Sequence, residues 1–323
     1  MRYRKLGRTN YEVSEIGYGA WGIGGKQWLG GDDDESVKSL RRAIDLGLNF
    51  IDTALAYGEG HSERLVGDVV REHKDRKIYV ATKIPPKNRL WPARPGIHIG
   101  EVFPFKYIMD STDESLRNLK MEQVDLQQFH VWNPEWIHSD DWQRGIEELK
   151  KSGKAGAVGI SINDHQPDSA LDIIKSGLID TVQVIYNIFD QTPEKNLFPL
   201  AMERNIGVIA RVPLDEGALT GTITEHTHFE REDFRSFYFR KDRKKKVVEH
   251  VDALKKDLEG VEGSLPEIAL RFCLSHDAVS TVIPGMRRVR NAEMNVATSD
   301  KGPVDDKTLA ILERHAWDKN FYS

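Results

Sequence analysis

The sequence has a single cysteine, Cys273, so no intrachain disulfide can form and a reducing cytoplasm is the expected home. No stretch approaches the roughly 18 uninterrupted apolar residues that a membrane-spanning helix needs. The opening Met1-Arg2-Tyr3-Arg4-Lys5-Leu6 lacks the apolar centre of a secretion signal. The eleven histidines show neither an H-E-x-x-H pair nor clustered ligand spacing, so no catalytic metal is expected. Positive charge is not in excess either. The 46 basic and 51 acidic residues leave a net charge of −5 and no general attraction to a phosphate backbone. Nucleic acid and membranes are therefore not expected partners. No low-complexity linker divides the chain, and residues 1–323 are read as one domain. No patch in the sequence speaks for an oligomeric state.

What recurs instead is short, apolar and β-branched. Eight runs stand out: Glu15–Ala20, Asn49–Ala54, Lys77–Lys83, Val124–His130, Ala155–Ser161, Thr181–Asn187, Ile206–Pro213 and Ser280–Gly285. Most are too apolar for half-exposed strands and fit strands buried on both faces. Helical patterns alternate with them. Asp34 is placed to cap a helix carrying Val37, Leu40, Ala43 and Ile44, with Gly47 as its stop. Further helices are expected over Ser62–Val70, Ile108–Leu119, Trp142–Lys151 and Ala170–Ser176, and Ser264-Leu265-Pro266-Glu267 has the form of a capping box.

Five of the seven intervals between strand ends have the length of a plain βα unit, about 30 residues. The other two are swollen by Ile84–Phe105 and Ala218–Gly263. Eight such units close most simply into an α/β fold of the (β/α)8 TIM-barrel type. The long loops then follow strands three and seven, on the face where strands end and chemistry collects. Their aromatics are Trp91, Phe103 and Phe105 in one, and Phe229, Phe234, Phe237, Tyr238 and Phe239 in the other. They serve either as pocket walls or as pins that hold the loops down.

At that face the second run brings Asp52, with Tyr57 five residues on; the third brings Lys83 and the fourth His130. Singly, each has a structural reading: a helix cap, a packed phenol, a rim charge, a core histidine. Together, on neighbouring strands, they support proton transfer to an oxygen. An ammonium beside a phenol favours the phenolate, by at most about 4 kcal/mol at 4 Å and an effective dielectric of about 20. Asp52 can hold Lys83 charged and in place, and His130 can hydrogen-bond an oxygen placed near Tyr57. A carbonyl there is polarised for attack. The set contains no nucleophile, which points to a cofactor that supplies one. Lys83 itself is the alternative, as the Schiff-base nucleophile of a lyase, but that role needs a low pKa that Asp52 opposes.

Asp52-Thr53-Ala54-x-x-Tyr57-Gly58-x-Gly60-x-Ser62-Glu63-x-x-Val66-Gly67 resembles the signature of the aldo-keto reductases, in their bacterial NADP-dependent branch. Leu6-Gly7-Arg8-Thr9, Val13-Ser14 and Gly19-Ala20-Trp21-Gly22 are similar to the same family, and the likeness extends to the Asn295 region. The resemblance implies a (β/α)8 barrel that reduces an aldehyde or ketone to an alcohol with a nicotinamide hydride donor. It carries a catalytic tetrad onto Asp52, Tyr57, Lys83 and His130, with Tyr57 the proton donor. Cofactor contacts transfer onto Ser161, Gln183, Arg211, Leu214, Gly217 and Leu219. Ile162 stands where the family's usual Asn follows the serine, and Asn163 is the candidate substitute. Arg211 replaces a common Tyr, and its planar guanidinium can also stack on a nicotinamide ring.

Ile283–Asn295 resembles the family's adenosine-binding stretch, with Gly285, Arg287, Asn291 and Asn295 as contacts. Arg287, Arg288 and Arg290 supply cations for a 2′-phosphate, so NADPH is expected ahead of NADH. Trp21, Trp28, Trp91 and Trp132 are candidate walls of the substrate pocket, Trp21 also bordering the cofactor. The same resemblance admits a regulatory barrel that senses nicotinamide nucleotides and turns over slowly.

Gly17-Tyr18-Gly19-Ala20-Trp21-Gly22 satisfies the dinucleotide pattern G-x-G-x-x-G, but a glycine-rich loop follows it where a Rossmann turn requires a helix. The pattern is read as accidental. Arg240–Lys246, six basic residues in seven, is read as a solvated helix start.

Overall fold

Each of the eight apolar runs forms a strand, and all eight pair in parallel in chain order. The computed structural model describes residues 1–25 and 28–322. A short antiparallel hairpin, β1 (Tyr3–Lys5) and β2 (Glu12–Ser14), comes first and was not foreseen from the sequence. The parallel strands are β3 (Tyr18–Gly19), β4 (Phe50–Asp52), β5 (Tyr79–Ile84), β6 (Val124–Phe129), β7 (Ala155–Ser161), β8 (Thr181–Ile185), β9 (Gly207–Arg211) and β10 (Val279–Val282). Parallel bridges Ile16 to Val282 and Gly19 to Gly285 join the first strand to the last and close the (β/α)8 barrel.

Helices alternate with the strands: α1 (Asp33–Asp45), α2 (His61–Glu72), α3 (Ile99–Val102), α4 (Phe105–Leu119), α5 (Asp140–Lys151), α6 (Leu171–Ser176), α7 (Leu197–Glu203), α8 (Phe234–Tyr238), α9 (Arg243–Asp257), α10 (Leu265–Ser275), α11 (Val289–Lys301) and α12 (Asp306–Glu313). Two expected caps differ. Asp32, not Asp34, caps α1 by accepting from the Glu35 backbone N–H at 2.8 Å. Ser264 makes no side-chain cap on α10, and Glu267 pairs with Lys301 at 2.9 Å. The basic run does enter a helix start, that of α9, where Lys246 pairs with Asp242. No helix among the described residues is long and apolar enough to cross a membrane.

The strand period of two sorts the barrel interior into layers. Phe50, Ala81, Leu126, Ala157 and Ile209 point inward and pack with Leu6 and Val13 of the hairpin, which plugs the N-terminal end. Two residues further along the same strands stand Asp52, Lys83, Gln128, Gly159 and Arg211. The lumen therefore changes from apolar to polar within one side-chain repeat, at the end where the strands stop.

Two glycines of the accidental dinucleotide pattern, Gly17 and Gly19, serve barrel closure. The Gly19 N–H donates to the Pro284 carbonyl at 3.0 Å, and a Cβ built on Gly19 would lie 2.5 Å from the Ile283 carbonyl oxygen. Nothing larger fits unless the closing seam opens. Gly19→Ala is therefore expected to lower the unfolding free energy by about 1–3 kcal/mol, measured by urea denaturation. An unchanged midpoint would show that the seam tolerates a methyl group.

Candidate active site

Lys83 ends the inward face of β5 with its side chain fully buried, and its ammonium uses all three donors. They go to Asp52 Oδ1 at 2.5 Å, to the Thr53 carbonyl at 2.8 Å and to the Tyr57 hydroxyl at 3.2 Å. Burial alone would push its pKa down, but Asp52 and Tyr57 outweigh burial and the ammonium is held above its ordinary value. A lysine so saturated is a poor Schiff-base nucleophile, which weighs against the lyase alternative. Asp52 Oδ2 is held in turn by Gln183 Nε2 at 2.8 Å and Gln128 Nε2 at 3.1 Å.

Tyr57 is carried by the turn after β4, where its backbone N–H donates to the Ala54 carbonyl. Its oxygen accepts from Lys83, which leaves its own proton free to point into the cleft. The expected preference for phenolate does not hold here. Burial raises the phenol's pKa more than Lys83 lowers it, and Asp52 beside the lysine adds to the rise. His130 meets the Tyr57 ring edge-on at 5.7 Å. Burial, with Lys83 and Arg211 nearby, holds its imidazole well below the usual pKa, so it is neutral at physiological pH.

These side chains stand at one end of a cleft of about 1180 Å³ that runs to Gly285, Arg288 and Asn291. Between the two ends lie Ser161 and Gln183, adjacent in the β7–β8 register, then Arg211, Leu214 and Gly217. His130 Nδ1 and Arg211 Nε are buried without a partner among the described residues. Open polar atoms along an elongated cleft, with a turn of positive φ at Gly217 and an unobstructed Gly285, fit a dinucleotide.

Trp21, Trp28 and Trp91 line the cleft, and Phe234 of the seventh-strand insertion joins them. Trp91 packs edge-on against His130 at 4.5 Å, and Trp21 contacts Trp28 at 5.3 Å and Phe234 at 5.2 Å. The remaining loop aromatics divide: Phe103 is a pin, buried against Phe129 and Trp136.

Five expected contacts need correction. Trp132 is 1% exposed, donates its Nε1–H to the Ser169 carbonyl and packs on Trp142, away from the cleft. The Asn163 amide is occupied by both backbone groups of Ala93, so it ties down the third-strand loop and is not free as a carboxamide substitute. Leu219 is wholly buried in the core, and Asn295 faces inward on α11; neither lines the cleft. Arg287 does line it, but its guanidinium donates to the Trp28 and Leu29 carbonyls and clamps the loop after β3.

A profile of the aldo/keto reductase family matches residues 15–316. The chain belongs to that family. This aldo-keto reductase is thus an oxidoreductase acting between carbonyl and alcohol groups with a nicotinamide nucleotide. The aldo-keto reductase YhdN of Bacillus subtilis (strain 168) is 31% identical, over 89% of this chain and 86% of that protein. The NADH-specific methylglyoxal reductase of Escherichia coli (strain K12) is 27% identical, over 96% of this chain and 97% of its own. Among solved structures, the glycerol dehydrogenase AKR11B4 from Gluconobacter oxydans has a TM-score of 0.78 at 30% identity, covering 98% of this chain and 97% of that one.

The cleft and the network behind it also hold residues that the sequence did not announce. Gln128 had a signal, two places after Leu126 on an inward face. Asp164, Glu216 and Tyr322 had none, because only the fold brings them to Arg211. Arg211 donates to Asp164 Oδ1 at 2.8 Å and to the Ile162 carbonyl at 3.0 Å. The Tyr322 hydroxyl donates to Glu216 Oε1. Burial raises Glu216 from 4.5 to about 7, with Asp215 adding to the rise and Tyr322 and Arg211 opposing it.

A carboxyl with a raised pKa contributes stability that is complete below its unfolded value of 4.5 and is lost as the pH climbs through about 7. Glu216→Gln keeps the carbonyl acceptor and removes the titration. Its Tm is therefore expected to gain on the parent's as the pH rises from about 5 to about 8. Parallel Tm curves for the two proteins would contradict this.

Proposed function

We propose that the protein reduces an aldehyde or ketone to the alcohol, with Tyr57 as proton donor and NADPH as the preferred hydride source. The observation that carries the reading is the Tyr57 oxygen, which accepts from a lysine whose other donors are taken and keeps its own proton for the cleft. The nicotinamide, when bound, supplies a hydride. Ser161 and Gln183 would hold its carboxamide, Arg211 its ring face, and Leu214 and Gly217 the pyrophosphate.

The chain's own groups handle the oxygen. Neutral His130 and the Tyr57 hydroxyl orient the carbonyl, and as negative charge grows on its oxygen Tyr57 gives up its proton. The raised phenol pKa keeps that proton in place until an oxygen more basic than a phenolate forms. The phenolate left behind is stabilised by Lys83, and Asp52 keeps Lys83 fixed. The aromatic wall of Trp21, Trp28, Trp91 and Phe234 suits an apolar or aromatic substituent on the carbonyl. The lone thiol, Cys273, is buried and suits the cytoplasm.

Of the three cations expected at a 2′-phosphate, Arg287 is engaged by backbone carbonyls and Arg290 does not line the cleft. Arg288 lines it, is exposed and has no ion pair among the described residues. It is the cation that supports NADPH over NADH.

Tyr57→Phe is expected to bind nucleotide as before and to lose about 10²–10⁴ in kcat, followed by reduced-nicotinamide absorbance with aromatic and aliphatic aldehydes. Undiminished turnover would remove Tyr57 from the role. Arg288→Ala is expected to weaken kcat/KM for NADPH by about 10- to 100-fold and to leave NADH little changed. An equal loss with both nucleotides would place the 2′-phosphate elsewhere.

A further inference from the structure

The loop after β9 is held in a backbone conformation that L-residues avoid. Val212, Asp215 and Glu216 all have positive φ, at 55°, 48° and 55°, and Gly217 follows at 99°. For a β-branched residue such as Val212 this is a genuine outlier, and each such residue persists only where its surroundings over-determine it. Leu214, Glu216 and Gly217 of this loop line the cleft. The Asn187 amide holds the Val212 carbonyl at 2.9 Å, and further contacts to the loop come from the far end of the chain.

Lys319 is 9% exposed. Its Nζ donates to Asp215 Oδ1 at 2.6 Å and to the Tyr238 hydroxyl at 2.9 Å, and that hydroxyl also donates to Asp215 Oδ1 at 2.9 Å. The ammonium is boxed by the rings of Phe321 at 4.9 Å, Trp317 and Tyr238 at 5.3 Å, and Phe189 at 5.9 Å. The box is itself anchored. The Trp317 N–H donates to the Phe189 carbonyl at 2.8 Å, His250 stacks on Trp317 at 3.7 Å, and Arg243 donates to the Phe321 carbonyl at 2.7 Å. Three residues beyond Lys319, Tyr322 reaches the cleft and donates to Glu216.

We propose that the C-terminal tail is part of the nucleotide site: Lys319, through Asp215, holds the Val212–Gly217 loop with its positive φ at Val212, Asp215, Glu216 and Gly217, and so sets nucleotide affinity. The inference rests on the reading of the cleft as a nicotinamide nucleotide site. Lys319 acts as a positioning residue. Without its ammonium, the Asp215 carboxylate keeps only the Tyr238 hydroxyl among the described residues, in a buried setting, and relief lies in moving the carboxylate toward water, which unwinds the loop. Nucleotide then binds only the fraction of molecules with the loop formed. A competent fraction of about one tenth raises the apparent Kd about tenfold. The tetrad stands on other strands, so turnover at saturating nucleotide is retained.

The test uses the full-length protein and two variants, Lys319→Met and the double variant Asp215→Asn/Lys319→Met. The double variant removes both charges together and carries the test should the single one fail to fold. NADPH and NADH are titrated by quenching of tryptophan fluorescence, at a temperature where circular dichroism shows each protein folded. Limited proteolysis of the nucleotide-free proteins reports on the loop directly. The expected result is a Kd raised about tenfold or more in the variants, with faster cleavage within residues 212–223. kcat at saturating nucleotide should stay within about threefold of the parent's. An unchanged Kd overturns the proposal, and so does a kcat that falls in step with nucleotide affinity. If the parent protein binds neither nucleotide, the reading of the cleft falls and takes this inference with it. If it binds and the variants bind equally well, this inference alone fails.

Discussion

The ion pair between Lys83 and Asp52 is the contact on which the site depends. A lysine and an aspartate buried to 0% and 2% exposure would each be costly alone, and the pair is tolerable because every donor and acceptor is used. Lys83 is saturated by Asp52, the Thr53 carbonyl and Tyr57, while Asp52 also takes amide groups from Gln128 and Gln183. The pair thus ties together β4, β5, β6 and β8 at the level where the lumen turns from apolar to polar. Tyr57 inherits its orientation from this network. It accepts from the one donor of Lys83 that faces the cleft, and that leaves its proton aimed outward.

The rest of the cleft repeats the principle with less burial. Arg211 is held by Asp164 and the Ile162 carbonyl, and its Nε has no partner among the described residues. Its charge and that of Lys83 help hold His130 neutral, so a hydrogen-bonding imidazole and two cations coexist within one barrel mouth. Glu216 sits among Arg211, Asp164, Asp215 and Tyr322 with its carboxyl pushed toward neutrality. The buried charges of the cleft are paired or neutralised, that of Lys319 is boxed by aromatic rings, and His130 Nδ1 and Arg211 Nε face the cleft with no partner among the described residues.

The barrel and the places of Asp52, Tyr57, Lys83 and His130 at its mouth were legible because local signals repeat. A two-residue period and eight apolar runs name the strands, and residues at the ends of those strands reach the mouth of any barrel they form. Asp52, Lys83 and His130 could be placed by counting along a strand, and Tyr57 lies within the turn that follows one. Elsewhere counting failed for physical reasons. Trp132, only two residues past His130, turns into the aromatic core because its indole N–H finds the Ser169 carbonyl there. Asn163 spends its amide on Ala93, in a loop whose path the sequence does not record. Arg287 clamps Trp28 and Leu29, more than 250 residues earlier in the chain.

The sequence alone therefore determined the alternation of strand and helix, the number of units, the family signature and the chemistry available at the strand ends. These depend on neighbours close along the chain. The tertiary structure alone decided which charges are stabilised and which suppressed. It reversed the expected lowering of the Tyr57 pKa, since the burial that opposes Lys83 is a property of the folded mouth. It also brought the last residues of the chain to the loop after β9. An ion pair such as Lys319–Asp215, whose partners stand 104 positions apart, leaves no periodic trace in the sequence and exists only once the barrel has closed.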